Sequence, residues 1–598
     1  MSTTLLADVI RIANCSGFYG DKLSAARDMV EGGPIDVLTG DYLAELTMAI
    51  LHRKRQQDSS VGYVGTFLKQ VREVIEPCLE RGIKIVTNAG GLNPQGMAEA
   101  IEAIIQPLGL NARVAYITGD DLMPRLDDLL DGGEALAHLE TGIPFAETEH
   151  EALTANAYLG AWGIKEALDQ GADIVICPRV TDAAVVIGPA AWKFDWQRDE
   201  YDALAGALVA GHLIECGPSV AGGNYAFFEE VPSFHNMGYP IAEIEANGHF
   251  TITKHPGTGG LISVGTVTAQ LLYETNAPAY LNPDVIAHFD SLTLQQTGPD
   301  RVAVTGCRGS SPPPSHKVCI NTTGGYRNAM ELIITGLDIE AKARLFTEVL
   351  FESLGGRGQF DQVIEELIRS DKDNPNSNDE ASAVLRLSIH YQDSSLQGGR
   401  DFQRKATELA LSSYPGFYAR SPTIPTGAVI KHWPTLIDSD CIVEHVHVNQ
   451  TEFDVLPTSQ LKTVANVQYQ TPEVSITPLA GSPLTPLPFG RLFGARSGDK
   501  GGCANLGVWA KTDKAYQFLY HYLTAEQLKI LLPDTQAFTI DRYELPNVRA
   551  LNFYIHGILG DGIAAATRSD GQAKSLGEYL RAKLIDVPES LLEEMTNV

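Results

Sequence analysis

ADIVICPRVTD, residues 172–182, decides the fold of this chain. Its apolar first half predicts a buried strand, and Pro178 ends that strand because proline cannot donate a hydrogen bond to a sheet. Thr181 or Asp182 is then placed to cap the helix that follows. In open parallel sheets, ligands bind where such strands end and helix N-termini begin. Arg179 and Asp182 are therefore the first candidate site residues.

The same alternation of short apolar runs with helix-length amphipathic segments starts at Asp8. It predicts an α/β fold, with a Rossmann-like parallel sheet and helices on both faces. The predicted strands are Val9–Ala13, Ile35–Leu38, Ile83–Thr87, Ala112–Ile117 and Ile174–Cys177. The predicted helices are 22–31, 43–55, 63–81, 94–106, 121–131, 152–170 and 183–191.

Each predicted strand ends in a polar turn. The carboxyl ends of parallel strands meet at one edge of a sheet, so we expect these turns to converge on one cleft. Asp41 is a candidate catalytic group in the second turn. The candidate substrate-binding positions in the other turns are Asn14, Cys15, Ser16, Asn88, Gly90, Gly91 and Asp120.

Two of these turns have motif-like sequences. NCSGFYGD (14–21) occupies the place of a dinucleotide-binding turn but lacks the GxGxxG spacing, so no nicotinamide or flavin cofactor is predicted. Cys15 within it is either a nucleophile at a helix N-terminus or a buried structural cysteine. NAGGLNP (88–94) has two glycines that let the backbone approach a ligand, and it is either an oxyanion site or a structural turn.

A further candidate wall of the cleft is HLIECGPSVAGGN (212–224). His212 and Glu215 are three residues apart, so a helix would present them on one face. A zinc site, a general base at Glu215, a nucleophile at Cys216 and a packed core all stay open as interpretations. The glycine-rich end offers N–H groups to an anion, with the candidate binding residues Gly222, Gly223 and Asn224.

GARSGDKG (494–501) resembles a P-loop but lacks the Gly-Lys-Ser/Thr ending, and Asp499 would repel a phosphate. Nucleotide hydrolysis is therefore not expected. We expect Arg496, Asp499 and Lys500 to form a charged network or to contact an acidic substrate. Downstream, RYELPN (542–547) and LNFYIHG (551–557) mix charges into strand-like runs, which indicates an interface.

Composition narrows the class of protein. The 598 residues exceed what one hydrophobic core usually organises. No apolar run is long enough to span a membrane and no N-terminal export signal is present, so neither a membrane partner nor export is expected. The net charge of −29 disfavours nucleic acid as a partner. The eight cysteines form no CxxC pair, which predicts neither a disulfide framework nor a structural zinc site and favours the cytoplasm.

The chain divides into regions of different composition. After residue 215 glycine-rich segments and β-branched runs such as 261–267 replace the helical rhythm. The predicted regions are an α/β part with the site (1–215), an α+β part (216–470), a stiff proline-rich linker (471–488) and a small domain able to fold alone (489–598).

The motifs, taken as a set, resemble the acyclic terpene utilisation (AtuA-like) family. The set includes the motifs quoted above together with PRVTDAA (178–184), GTGGLISVGTVTAQLLYE (257–274) and LALSSYPGF (409–417). The small domain resembles the ferredoxin-like domain that accompanies this family, through RSGDKGGCANLGVWAK (496–511), RYELPNVRALNFYIHGILGDG (542–562) and KSLGEYL (574–580). The resemblance implies that 216–470 completes the family's core, and that the chain serves the breakdown of branched-chain and terpenoid acids, whose intermediates are CoA thioesters.

The leading functional hypothesis is an enzyme that acts on a small anionic carboxylate or acyl-CoA substrate by C–C cleavage, hydration or hydrolysis. It needs no cofactor apart from CoA as part of a substrate, no metal ligand is assigned, and a homo-oligomer is expected. The expected roles are an oxyanion site at the N–H groups of 88–91 and 222–223, a carboxylate partner at Arg179, and a proton carrier at Asp182, Glu215 or Asp41. The alternatives are a non-catalytic acyl-binding or scaffold component of a degradative complex, and a metal-dependent lyase.

Overall fold

The computed structural model describes residues 9–392, 398–419, 424–457, 469, 475–479 and 481–595. The strands are β1 (Val9–Asn14), β2 (Val37–Gly40), β3 (Lys84–Thr87), β4 (Val114–Thr118), β5 (Ala152–Ala157), β6 (Ile174–Ile176), β7 (Pro240–Glu245), β8 (Phe250–Lys254), β9 (Ala279–Leu281), β10 (Ile286–His288), β11 (Thr293–Gly298), β12 (Arg301–Thr305), β13 (Arg308–Ser310), β14 (Ser315–Thr335), β15 (Gln362–Ile368), β16 (Ser382–Tyr391), β17 (Tyr418–Ala419), β18 (Ile424–Asp438), β19 (Glu444–Val448), β20 (Thr451–Val455), β21 (Leu484–Pro488), β22 (Phe493–Lys500), β23 (Cys503–Ala510), β24 (Ile540–Leu545), β25 (Ala550–Ile555) and β26 (Leu584–Pro588). The helices are α1 (Ala25–Gly32), α2 (Glu45–Gln57), α3 (Gly65–Arg81), α4 (Pro94–Ile105), α5 (Leu126–Asp131), α6 (Trp162–Asp169), α7 (Ala184–Phe194), α8 (Tyr201–Ile214), α9 (Val264–Leu271), α10 (Ile339–Ser353), α11 (Gly398–Glu408), α12 (Asp513–Tyr522), α13 (Ala525–Leu531), α14 (Leu576–Arg581) and α15 (Glu589–Met595).

Eleven strands of the described residues form one mixed sheet, in the order β11-β12-β8-β7-β1-β2-β3-β6-β4-β19-β20. Its centre, β1-β2-β3-β6-β4, is parallel, and antiparallel strands flank it on both sides. The predicted parallel sheet is thereby confirmed. All five central strands point the same way, so the turns that follow them lie at one edge of the sheet, as expected.

Helices pack on both faces of this sheet. Alternate residues of a strand point to opposite faces, and β6 shows the consequence: Val175 joins the core on one face, while Ile174 and Ile176 join the core on the other. The first core contains residues of α6, α7 and α8, and the second contains residues of α1, α3 and α4. No helix in the described ranges is both long and apolar enough to cross a membrane.

Strands from both sides of residue 215 share the large sheet. β7 pairs with β1, and β19 pairs with β4, so the sheet joins the predicted α/β and α+β parts. The long strand β14 organises a second sheet, where it pairs with β5, β16, β17 and β18. This second sheet brings a residue of β14, Lys317, to the cleft described below.

Two local predictions are wrong. The helix expected over 152–170 begins only at Trp162, because 152–157 form β5, which pairs antiparallel with β14. Pairing with a distant strand thus overrides local preference. The β-branched run 261–267 was expected to replace the helical pattern, yet its residues 264–267 begin helix α9. Ser263 and Thr266 start this helix with a reciprocal capping box.

The small domain contains a four-stranded antiparallel sheet, in the order β22-β23-β25-β24. Its core includes Phe489, Phe493 and Phe553, which are fully buried. β21 pairs with β26, so 484–488 of the predicted linker is a strand of this unit rather than a connection. Other parts of that linker, 471–474 and 480, lie outside the described residues.

Candidate functional site

A cleft of about 620 Å³ lies at the carboxyl edge of the parallel strands. One wall comes from the strand-end turns, a second from the segment after α8, and a third from the small domain. Many of the lining residues are charged, including Asp41, Glu45, Arg179, Asp182, Glu215, Glu274, Lys317, Arg496, Asp499, Lys500 and Lys574. The predicted convergence of the turns is therefore confirmed for Asp41, Arg179 and Asp182.

Arg179 lies in the cleft wall with only 3% of its surface exposed. Its Nη1 donates to Oδ1 of Asp182 at 2.8 Å and to the carbonyl of Val180 at 2.7 Å, and the guanidinium lies 4.0 Å from the centre of the Tyr158 ring. Burial opposes the charge of Arg179, but Tyr158, Asp182 and Glu45 outweigh it and hold the pKa well above the usual range. The group is therefore a fixed cation with one orientation.

Neither Thr181 nor Asp182 caps α7, as the sequence had suggested. The helix begins after Ala183 without a side-chain cap. Asp182 accepts the bond from Arg179 instead, and the hydroxyl of Thr181 accepts a bond from Asn282 at 2.9 Å. Asp182 therefore has a partner within its own turn, and Thr181 has one far away in sequence.

Glu45 is a cleft residue that sequence reasoning missed. Its Oε1 accepts a hydrogen bond from the Tyr158 hydroxyl at 2.8 Å and lies 3.5 Å from Nζ of Lys317. Burial opposes ionisation of Glu45, but Lys317 and other nearby cations hold its pKa well below the usual range. Its place in the first turn of α2, directly after a strand-end turn, was the available signal. The sequence around Lys317 gave no such signal, because Lys317 lies on β14 of the second sheet and only the folded chain brings it to the cleft.

Glu215 directly follows α8 and contacts His212 on the same face, as predicted, with 3.1 Å between Oε1 and Nδ1. Burial lowers the pKa of His212 to about 4, so the ring is neutral at pH 7. Its Nε2 lies 3.2 Å from the carbonyl of Leu271, which can only accept a hydrogen bond, so Nε2 is the nitrogen that carries the hydrogen. A neutral imidazole has one N–H group, so Nδ1 is an acceptor. Glu215 must then donate, and therefore carries a proton.

The pKa of Glu215 agrees with this hydrogen-bond pattern. Burial raises that pKa well above the usual range, and the charges of Asp182 and Glu274 raise it further. Asp41 is in a similar state, because burial, Asp182 and Glu215 raise its pKa as well. Asn88, at the end of β3, donates to Oδ1 of Asp41 at 2.5 Å and fixes that carboxyl. The cleft thus holds two carboxyl groups whose pKa values are raised by burial and by neighbouring carboxylates.

Three of the predicted binding residues lie behind the cleft wall. Asn14 donates to the carbonyl of Glu215 at 3.1 Å and so fixes the end of α8. Asp120 accepts from the backbone N–H of Arg179 at 3.2 Å, and burial raises its pKa to about 7. Ser16 is fully buried and does not line the cleft. These side chains position the residues that reach the cleft.

The two candidate nucleophilic cysteines are both held as thiols. Cys15 is fully buried outside the cleft lining, and burial raises its pKa to about 12. Cys216 lines the cleft, but burial followed by Glu274 and Glu215 raises its pKa well above the usual range. The thiolate is the nucleophilic form of cysteine, so the structure favours the structural interpretation of Cys15, and at Cys216 burial and the nearby carboxylates outweigh Arg496 and Gln270, which favour the thiolate.

The predicted oxyanion sites are wrong for four glycines. Gly90 and Gly91 donate their N–H groups to backbone carbonyls at 3.1 and 3.3 Å, and Gly222 and Gly223 do the same at 3.2 and 3.0 Å. Donors that are already paired inside a turn are not free to stabilise a developing charge. Gly90 is required for space instead, because a Cβ there would lie 2.6 Å from the carbonyl oxygen of Cys177.

The small domain meets the segment after α8 through Arg496. Its Nη1 donates to the carbonyls of Gly223 and Asn224 at 3.2 and 3.3 Å, and its guanidinium lies 4.3 Å from the centre of the Tyr273 ring. Asn224 has a positive φ of 57° and lines the cleft. Arg496 therefore anchors this wall of the cleft.

Of Arg496, Asp499 and Lys500, for which a charged network or a substrate contact was expected, Asp499 belongs to a network with Lys574 and Glu274. Nζ of Lys574 lies 3.1 Å from the carboxylate of Glu274 and 3.5 Å from that of Asp499. Burial, followed by the charge of Glu274, raises the pKa of Asp499 to about 6. Lys500 lines the cleft beside this network.

The small domain is bound to the main region by Asn547 and Asn552 of the two predicted interface runs and by Asn505, which lies outside them. Asn505 donates to the carbonyl of Leu272 and to Oδ1 of Asn552, both at 2.7 Å, and accepts from the N–H of Glu274 at 2.8 Å. Asn547 donates to the carbonyls of Phe289 and Leu292 at 2.8 and 2.9 Å. These bonds hold Glu274 in place at the cleft.

Comparison with known proteins identifies two family matches along the chain. The family model for acyclic terpene utilisation family protein AtuA matches residues 10–448, and that for the AtuA ferredoxin-like domain matches residues 487–586. No curated protein and no solved structure matches the chain. The first match alone covers well over half of the sequence, as the motifs of both regions led us to expect. The chain belongs to the acyclic terpene utilisation family AtuA and carries that family's ferredoxin-like domain.

Proposed function

We propose that the protein is an enzyme of acyclic terpenoid breakdown that acts on a branched-chain carboxylate or its CoA thioester. The reaction is a hydration, a C–C cleavage or a hydrolysis and uses no redox cofactor. The observation that carries this proposal is the 3.1 Å contact between Glu215 and the buried ring of His212, because a neutral ring that donates to the Leu271 carbonyl favours a protonated carboxyl group in the wall of the cleft. A carboxyl group held neutral in this way is suited to general acid catalysis.

The composition of the cleft supports an anionic substrate with a hydrocarbon chain. Arg179 offers a planar fork of donors that matches a carboxylate, while Lys317 and Lys500 add positive charge. Leu43 and Ile563 contribute apolar surface to the same cleft, where a branched chain would pack.

In the proposed reaction, Glu215 donates its proton to the substrate oxygen that gains electron density as the bond breaks. Asp182, whose side chain is one-third exposed, takes a proton from water or from the substrate carbon. Between turnovers, Nδ1 of His212 accepts a hydrogen bond from the carboxyl group of Glu215 and so keeps that group oriented. General acid and base catalysis of this kind contributes about 10²–10⁴-fold to a rate.

Mass spectrometry of the purified protein with a panel of acyl-CoAs and free branched acids tests the proposal. We expect one chemical class to be converted, and Glu215→Gln to lose turnover while it still binds the substrate. Glu76→Gln is the matched control, since Glu76 is exposed on α3 and does not line the cleft. Binding without any product would favour the scaffold alternative, and turnover restored to chelator-treated protein by a divalent ion would favour the metal-dependent lyase.

A cytoplasmic location and a homo-oligomeric state are part of the proposal. All eight cysteines lie within the described ranges and are free thiols, which suits a reducing compartment. Light scattering of the full chain measures the oligomeric state directly.

A further inference from the structure

Three side chains with metal-binding atoms meet where the small domain contacts the main region. Cys503 opens β23, His556 directly follows β25, and Glu140 lies in the turn over 138–143 of the main region. Their ligand atoms all lie within 4.8 Å of one another. Oε2 of Glu140 and Nδ1 of His556 are hydrogen-bonded to each other at 3.0 Å, so a metal ion between them would replace this bond. None of the three lines the cleft described above.

The groups around these side chains orient them as the outer shell of a metal site does. The other ring nitrogen of His556, Nε2, lies 2.8 Å from Oδ2 of Asp541 on β24. A carboxylate in that place fixes the imidazole so that Nδ1 faces the metal. The backbone N–H of Gly557 donates to Sγ of Cys503 at 3.3 Å, which suits a sulfur that carries negative charge.

We propose that Cys503, His556 and Glu140 bind one zinc ion, with water at the fourth position. A thiolate, an imidazole and a carboxylate together form a ligand set that binds zinc in preference to magnesium or calcium. Cys503 loses its proton on binding, and the two negative ligands then balance the charge of the ion. This site differs from the sequence expectation, because the ligands have no CxxC spacing and meet only in the folded chain.

Zinc at this position would fasten the small domain to the main region. The turn over 138–143 is closed on itself by bonds between His138 and Ile143 and between His138 and Gly142. Cys503 and His556 come from the small domain, as does Asp541, which bonds His556. Glu140 comes from the main region. The ion therefore bridges the two parts at a contact separate from the Asn505 bonds.

A second group, His445, Glu452 and Asp454, lies on the exposed hairpin β19–β20. It offers no sulfur ligand and no fully buried ligand, so it provides an internal control. Metal that depended on His445 would belong to this hairpin rather than to the proposed site.

Metal analysis of the tag-free full chain, loaded with zinc and passed over a chelating resin, tests the proposal. We expect about one zinc ion per chain, and background levels in Cys503→Ser and in His556→Gln. Asp541→Asn should keep the site but weaken zinc binding about 10–100-fold. Cys441→Ser and His235→Gln are matched controls and should retain the ion, because neither residue belongs to the group.

Two further measurements separate a lost ligand from a lost fold. Cobalt in place of zinc should give a thiolate-to-metal absorption band in the wild type and in Cys441→Ser, and none in Cys503→Ser. Zinc should raise the melting temperature of the wild type but not that of His556→Gln, with unchanged far-ultraviolet circular dichroism. The proposal is overturned if the wild type holds no more zinc than Cys503→Ser, or if the metal is lost in His445→Gln instead.

Discussion

Arg179 and Asp182 form an ion pair that connects the interior of the protein to the cleft, with 2.8 Å between Nη1 and Oδ1. The Arg179 side chain is 4% exposed and the Asp182 side chain is 33% exposed. The buried cation therefore holds a carboxylate that solvent and ligand can reach. This relationship carries the first prediction.

Arg179→Met should destabilise the protein far more than Asp182→Asn does. The first change removes the cation that pairs with Asp182 and also attracts Glu45, and it leaves the carbonyl of Val180 without the Arg179 donor. In Asp182→Asn the amide oxygen can still accept the hydrogen bond from Arg179, and Glu45 still compensates the buried cation, so the loss should be smaller. Urea unfolding of both variants measures the difference. Equal losses of unfolding free energy in the two variants would contradict the conclusion that the turn depends more on Arg179 than on Asp182.

Glu215→Gln should lower turnover and leave the fold unchanged. The amide can still donate to Nδ1 of His212, as the protonated carboxyl does, but it has no proton to transfer. We expect kcat to fall by about 10²–10⁴-fold with little change in KM. Steady-state kinetics beside the Glu76→Gln control checks this expectation. Full activity in the variant would remove Glu215 from the proposed chemistry.

Asp120 should make stability depend on pH in a defined direction. Burial raises its folded pKa from 3.8 to about 7, so the folded state binds a proton more tightly than the unfolded chain. The resulting stabilisation is complete below pH 3.8 and is lost as the pH rises through about 7. Asp120→Asn removes this dependence. The melting temperature of the variant, minus that of the wild type, should therefore increase from acid to neutral pH, and a constant difference would contradict the assignment.

Lys500→Met should weaken binding of an anionic substrate. Lys500 is one of the charged residues of the small domain that line the cleft, and its loss removes attraction for an anion without removing the proposed proton donor Glu215. We expect KM to rise several-fold, with a smaller effect at high salt, because salt already screens the attraction between Lys500 and an anionic substrate in the wild type. Lys69→Met, on the exposed side of α3, is the charge-matched control. An unchanged KM would place the substrate away from this wall.

Asn505→Leu should loosen the small domain. The change removes one of two donors to the carbonyl of Leu272 and leaves Oδ1 of Asn552 without the Asn505 donor, and a buried unpaired group costs about 1–3 kcal/mol. Asn552→Leu should have a similar effect, and the double variant should lose less than the sum because the two amides bond each other. Chemical unfolding of the three variants tests this, and strictly additive losses would contradict a shared network.

Much of the fold could be predicted from the sequence, because the parallel sheet depends on a local pattern of apolar and polar residues. The buried strand at 174–176, with its polar turn and the helix after it, repeats along the first part of the chain, and this repetition alone predicts a parallel sheet. The edge of the sheet then places Asp41, Arg179 and Asp182 together. Long motifs of both regions identified the family in the same way.

Tertiary structure decided what no local pattern could contain. Lys317 arrives from another sheet, Lys500 from another domain, and the state of Glu215 depends on a carbonyl of α9 that orients His212. The glycine turns were predicted as anion sites, yet folding used their N–H groups within the turns themselves. The sequence by itself determined the sheet, its functional edge and the family. Only the folded chain determined which donors stay free and which carboxyls keep their protons, because both depend on burial and on partners far away in sequence.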